Sequence, residues 1–262
     1  MTGRPGEQTR DVQLAYDEAG SGDPAVVLLH GWGFGHPSHL TPLFEHLALH
    51  HRVLKLDLPG HGRSPRPPQG FGFDGCVAAI VDRLDAAGIE RAVLCGHSLG
   101  ARLAVEVAGA HPSRTAAAVL LDPVILFPEP VRAQALTRLV PALETDGWLP
   151  ALEGYFSRLL GPHDPAPLRS RVISELAEVT PGMAAAIMRE GMQTDGSEAL
   201  ARVRCPVLAV CAHAPVDVPR LRAMQPDAWV GTVVGSGHWL TLAAPEQVNA
   251  MVDRFLEVAA AR

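Results

Sequence analysis

The chain predicts an α/β fold: a mostly parallel twisted sheet flanked by helices, with a helical insertion. Three observations carry that expectation. Short apolar runs alternate with segments of helical period, the order that gives parallel βαβ units. Between 124 and 201 the alternation stops, and short amphipathic stretches separated by Pro and Gly replace it. After 201 the alternation resumes. A length of 262 residues lies near the limit of a single core, so one domain with an insertion accommodates it. The expected division is a core over 1–123, a helical lid or cap over 124–201, and the second part of the core over 202–262.

Each element follows from its local pattern. Val12–Asp17 reads as an early strand. Ala25–His30 (AVVLLH) is apolar and bounded by Asp-Pro and Gly, the mark of a buried strand. Arg52–Leu56 is a third. Asp74–Ala87 has helical spacing, with Val77, Ile80, Val81 and Leu84 on one face, and Gly88 is a suitable stop. Ala92–Cys95 forms a strand that runs into Gly96-His97-Ser98-Leu99-Gly100, and a helix follows from Leu99 to His111. Ala117–Leu121 is the next strand, closed by Asp122-Pro123. Within the insertion, Pro130–Leu143 and Leu168–Val179 are amphipathic. Beyond it come a strand at Pro206–Cys211, a helix at Val218–Met224, a strand at Trp229–Val234, and a last helix at Pro245–Ala259 with Pro in its first turn.

Composition removes several function classes. The formal net charge is −6, without the basic excess of a nucleic-acid binder. There is no apolar run of about 18 residues to span a membrane, and the first residues lack a signal-peptide core. A reducing cytoplasm is the expected location. Cys76, Cys95, Cys205 and Cys211 lack the close pairing of a zinc site and read as free thiols. No metal and no organic cofactor are expected. The expected partner is a small apolar molecule, and the chain is expected to be a monomer or a homodimer.

The chemistry concentrates in three motifs. Gly96-His97-Ser98-Leu99-Gly100 matches G-x-S-x-G between a strand and a helix. So tight a turn needs small residues two positions either side of the serine, lifts its hydroxyl clear of the sheet, and turns the Leu99 N–H toward a developing oxyanion. His30-Gly31-Trp32-Gly33 follows a strand, and its Trp32 N–H is a second candidate donor. Gly235-Ser236-Gly237-His238 follows the last strand; a glycine-flanked imidazole there can reach Ser98 and take its proton. His30 reads as structural. His36, His39, His46, His50, His51, His61, His111 and His163 read as loop or surface residues, and no third ligand joins His36 and His39 in a metal site.

With HGWG at 30–33, DLPGHGRS at 57–64, GHSLG at 96–100 and GSGH at 235–238, the chain resembles the α/β-hydrolase family over most of its length. It departs in a small way at Ala101, where many relatives carry glycine. The resemblance implies that Asp57 is structural, that Ser98 and His238 are nucleophile and base, and that an acid lies between them in sequence. In most relatives the acid follows the strand after the insertion. Here that loop reads Ala212-His213-Ala214-Pro215-Val216-Asp217. The usual spacing falls near Pro215, and Asp217 comes about two residues late. Haloalkane dehalogenases and zearalenone lactonases instead carry the acid one strand earlier, where this chain has Asp122. Asp122 is preferred and Asp217 is the alternative.

The implied reaction is acyl transfer through an acyl-enzyme, on an ester, lactone or related acyl bond of a small-to-medium apolar substrate. Serine at 98 argues against the dehalogenase and epoxide hydrolase chemistries, for which the family uses aspartate. Ligand receptors and non-hydrolytic lyases or cyclases also occur on this fold, and both stay open.

Overall fold

Ala25–Leu29 (β2) is apolar at every position and buried at every position, the signature of a strand covered on both faces. Val207–Cys211 (β6) shares that character, and Val53–Leu56 (β3), Ala92–His97 (β4) and Thr115–Leu121 (β5) are almost wholly buried and mostly apolar, with Lys55, His97 and Thr115 as their polar members. Tyr16–Ala19 (β1) and Trp229–Thr232 (β7), less buried, form the two edges. The strand order is β1-β3-β2-β4-β5-β6-β7; β1 pairs antiparallel with β3 and the other pairs are parallel. The computed structural model describes residues 12–32, 37–67, 72–176, 181–212 and 216–260. Gly33, His36, His213, Pro215 and the end of the amphipathic stretch over 168–179 lie outside them.

Helices cover both faces. One carries Thr41–Leu47 (α1). The other carries Phe73–Ala86 (α2) and Leu99–Ala110 (α3). Between β5 and β6 lie Glu129–Gln134 (α4), a wider π-type turn over Ala135–Leu139, Val140–Leu143 (α5), Trp148–Ser157 (α6), Ala166–Leu176 (α7), Pro181–Gln193 (α8) and Ser197–Arg202 (α9). No strand is formed there among the described residues, so the region is helical as expected. The last of these helices leans on the core: a Cβ on Gly109 of α3 would come within 2.6 Å of Ala199 O in α9. After β6 follow Val218–Met224 (α10), Leu240–Ala243 (α11) and Pro245–Ala260 (α12). Among the described residues no helix is long and apolar enough to cross a membrane.

The differences from the sequence reading have local causes. Val12 and Leu14 are buried, which gives them a strand-like pattern, but pairing with β3 begins only at Tyr16. Strand β4 continues two residues past Cys95, because Gly96 and His97 still pair with Leu120 and Leu121 of β5. The only lysine, Lys55, is buried in the sheet and sustained by Asp17 Oδ2 and Thr41 Oγ1, both at 3.2 Å.

Candidate active site

The carboxyl edge of the sheet gathers the motifs, as expected for a parallel α/β sheet. Ser98 follows β4 with φ 55° and ψ −112°, a conformation that costs a non-glycine residue roughly 1–3 kcal/mol. Its surroundings impose it. A Cβ on Gly96 would lie 2.1 Å from Gly100 O, and one on Gly100 2.0 Å from Leu29 O. Strand, turn and helix therefore approach at distances that only glycine allows. The Ser98 N–H donates to Leu121 O at 2.9 Å, fixing the turn to β5. Helix α3 starts at Leu99, so the Leu99 N–H is a first-turn amide without an intrahelical acceptor.

Asp122 follows β5, also at positive φ, 41°, and is fully buried. Its N–H donates to Val210 O (2.7 Å). Its Oδ1 accepts from Ala212 N (2.8 Å), and its Oδ2 accepts from His238 Nδ1 (2.5 Å). Burial pushes the carboxyl pKa up, but the hydrogen bond and charge of His238, with the Ala212 N–H, outweigh it. The net result is a carboxylate held below its usual range. A carboxylate partner requires the proton on His238 Nδ1, which leaves Nε2 of the neutral ring as an acceptor. Asp217 instead caps α10, its Oδ1 accepting from Arg220 N at 3.0 Å. Of the two candidate acids, Asp122 is the one brought to His238.

His30 is structural, as expected, and its role can be specified. Its Nε2 accepts from Leu58 N (2.9 Å), so its Nδ1–H donates to Gly31 O (2.7 Å). With that carbonyl engaged, the trans peptide turns the Trp32 N–H the opposite way. Gly31 itself lies against Ser98: a Cβ on it would be 3.2 Å from Ser98 Cβ. Asp57 accepts from Arg63 N and Arg63 Nε, both at 2.9 Å, which makes it a loop-shaping residue.

Two histidines expected in loops or at the surface are buried, His61 within its loop and His39 in a short 3-10 helix over Pro37–Leu40. His61 packs against His30 with ring centroids 4.9 Å apart. His39 lies beside His97, its Nε2 3.2 Å from His97 Nδ1. Both stand in polar-looking segments, which is why their sequence context concealed them. His97, inside the Gly96–Gly100 motif, is buried as well. Its Nε2–H donates to the His238 carbonyl at 2.8 Å, so its Nδ1 accepts from His39; the longer approach of Gly31 N to His39 Nε2, 3.4 Å, then carries no bond.

Burial, with the His238 charge, pushes His97 down to about 3, and burial likewise holds His39 well below the usual range. An unfolded chain takes up protons at these rings below about pH 6.5, where the native rings do not, so native stability falls as pH drops through that window. For His97 alone the expected slope is up to about 1.4 kcal/mol per pH unit. Urea midpoints between about pH 7 and 4 check this: His97→Asn, which keeps a donor, should flatten the slope, and an unchanged slope would contradict it.

Ser98, Leu99, Trp32 and His238 line one cavity of about 50 Å³, room for three to five waters at roughly 10–15 Å³ each. Its walls are apolar, and the 124–201 segment supplies Val124, Phe127, Tyr155, Phe156, Leu159, Ile187, Met188 and Met192. Arg102, the one Lys or Arg in the wall among the described residues, is already engaged: Nε with Glu106 (2.6 Å), one terminal nitrogen with Thr194 O (2.9 Å), and its face over Phe73. Trp148, in the same segment, does not line it.

Comparison with known proteins agrees with this architecture. The model of the alpha/beta hydrolase family matches residues 26–251. A pimeloyl-[acyl-carrier protein] methyl ester esterase of Xanthomonas campestris is 31% identical, over 89% of this chain and 95% of that protein. The dihydrolipoyllysine-residue acetyltransferase component of an acetoin cleaving system from Pseudomonas putida is 28% identical over 92% of this chain, which spans only 65% of that longer protein. Among solved structures, a thermophilic esterase from Thermogutta terrifontis superposes with a TM-score of 0.84 at 20% identity, covering 95% of this chain and 94% of that one. The enol-lactonase of Burkholderia xenovorans LB400 gives 0.81 at 19%, covering 94% and 97%. The chain belongs to the alpha/beta hydrolase family.

Proposed function

We propose that this protein is a serine hydrolase that cleaves a carboxylic ester or lactone with a small apolar acyl part, using Ser98, His238 and Asp122. The observation that carries the reading is the 2.5 Å bond from His238 to a buried Asp122 carboxylate, beside a strained Ser98 that shares the cavity with His238. Asp122 keeps the proton on Nδ1, so Nε2 takes the Ser98 hydroxyl proton as Oγ attacks the acyl carbon. The N–H groups of Leu99 and Trp32 stabilise the oxyanion; one such donor contributes on the order of 100- to 1000-fold in turnover. His238 returns its proton to the leaving oxygen, and a water attacks the acyl-enzyme by the same steps in reverse roles. In this reading the 124–201 helices are the cap over the acyl pocket. The esterase and lactonase names among similar proteins favour this bond type.

The cavity is small, so among p-nitrophenyl esters from acetate to decanoate the short acyl chains should react fastest, with decanoate slower by at least about tenfold in kcat/KM. A rising rate toward decanoate would refute the small acyl pocket. No turnover of any ester or lactone would refute the hydrolase and favour a receptor or a lyase.

A further inference from the structure

His238 sits in a segment that its own sequence does little to order. Gly235 has φ 79° and Gly237 has no side chain to pack, so the loop carries high conformational freedom. What orders it comes from the helical insertion. Asp164 lies buried between α6 and α7. Its Oδ2 accepts from Gly161 N (2.8 Å) and its Oδ1 accepts from Gly237 N (2.9 Å). The next amide, His238 N–H, donates to Leu159 O at 3.0 Å. The two backbones touch: a Cβ on Gly237 would lie 2.3 Å from Gly161 N, and one on Gly161 2.8 Å from Gly237 N. Two consecutive amides of the histidine loop are thus bound by the insertion, while the sheet side holds the ring through Asp122 and the carbonyl through His97.

We propose that Asp164 is a positioning residue for His238, its carboxylate latching the loop of the base to the insertion. The proposal rests on His238 being the general base. A carboxylate suits the task because it accepts two N–H bonds at once, each charge-assisted and stronger than a neutral bond. Asparagine can accept only one of them. The latch also ties the insertion to catalysis: any displacement of the 159–164 turn displaces the base with it.

The test uses the full chain with Asp164→Ala and Asp164→Asn. Misplacement of a reacting group by about 1 Å costs on the order of 100-fold, so Asp164→Ala should lower kcat on p-nitrophenyl acetate by about 10- to 100-fold, and Asp164→Asn by less, with KM within about threefold. Amide hydrogen exchange at Gly237 and His238 should quicken in the same order, while amides of β2 and β4 keep their protection. Wild-type kcat and unchanged exchange at 237–238 would overturn the latch. So would faster exchange throughout the core, which would make Asp164 a general fold residue. The exchange measurement needs no turnover: an ester-inert wild type whose 237–238 exchange still depends on Asp164 would refute the hydrolase reading and leave the latch standing.

Discussion

Replacing Ser98 by alanine is expected to abolish ester turnover, by about six powers of ten in kcat, with the fold retained. The size follows from its position in the chemistry. Without Oγ there is no acyl-enzyme, and only the oxyanion donors and binding remain to assist direct attack by water, an effect of roughly 10³–10⁴ over solution. Alanine keeps the Cβ, so the packing around Gly31, Gly96 and Gly100 is undisturbed. The turn itself is fixed by backbone contacts that the substitution leaves in place. Steady-state assays on p-nitrophenyl acetate, with circular dichroism as the control for folding, give the answer. Residual activity within about tenfold of wild type would mean that another group is the nucleophile.

Asp122→Asn is expected to lower kcat by about 10⁴. Asparagine presents either an amide NH₂ or a carbonyl to His238 Nδ1. The NH₂ would force the ring proton onto Nε2, where it blocks acceptance from Ser98, and the carbonyl would leave the imidazolium without a countercharge. The Ala212 N–H could still be satisfied by the amide oxygen, so the loop should persist. Asp217→Asn should change kcat less than about twofold and stability little, since asparagine caps a helix about as well as aspartate. Assaying both variants side by side decides between the acids: a silent Asp122→Asn with a crippled Asp217→Asn would reverse the assignment. Because Asp122 is held below the usual carboxylate range, its pairing stabilises the native state above that range and is lost only as pH falls through its lowered value.

Much of the fold was legible in the chain because buried parallel strands are continuous apolar runs. AVVLL, AVLC and VLAVC declare themselves. The edges were harder: β1 is polar and its register is set by β3, which no local pattern records. The insertion was recognisable as helical, but α6 and α8 were not delimited. Their apolar residues serve both the core and the cavity, so neither shows one clean stripe.

The site divides similarly. Ser98 and the glycines around it were readable because the steric requirement is local. His238 was readable from its place after the last strand. Its hydrogen-bond partner was one of two candidates in the sequence, because Asp122 lies 116 positions away and meets it only through the strand order β4-β5-β6-β7. His97 and Asp164 hold the His238 segment through its backbone, at the His238 carbonyl and the Gly237 N–H, and His39 reaches it only through the His97 ring; backbone contacts of this kind leave no side-chain motif. An aspartate preceding Pro165 and a histidine inside the Gly96–Gly100 motif were the traces available.

The most direct measurement is to quench the wild-type protein during turnover of p-nitrophenyl acetate and map the acetyl group by peptide mass spectrometry. Acetyl on Ser98, accumulating in step with a burst of p-nitrophenol and absent from Ser98→Ala, is the expected result. Turnover with no acetyl on Ser98, or with acetyl on another residue at catalytic rate, would contradict the assignment of Ser98 as nucleophile.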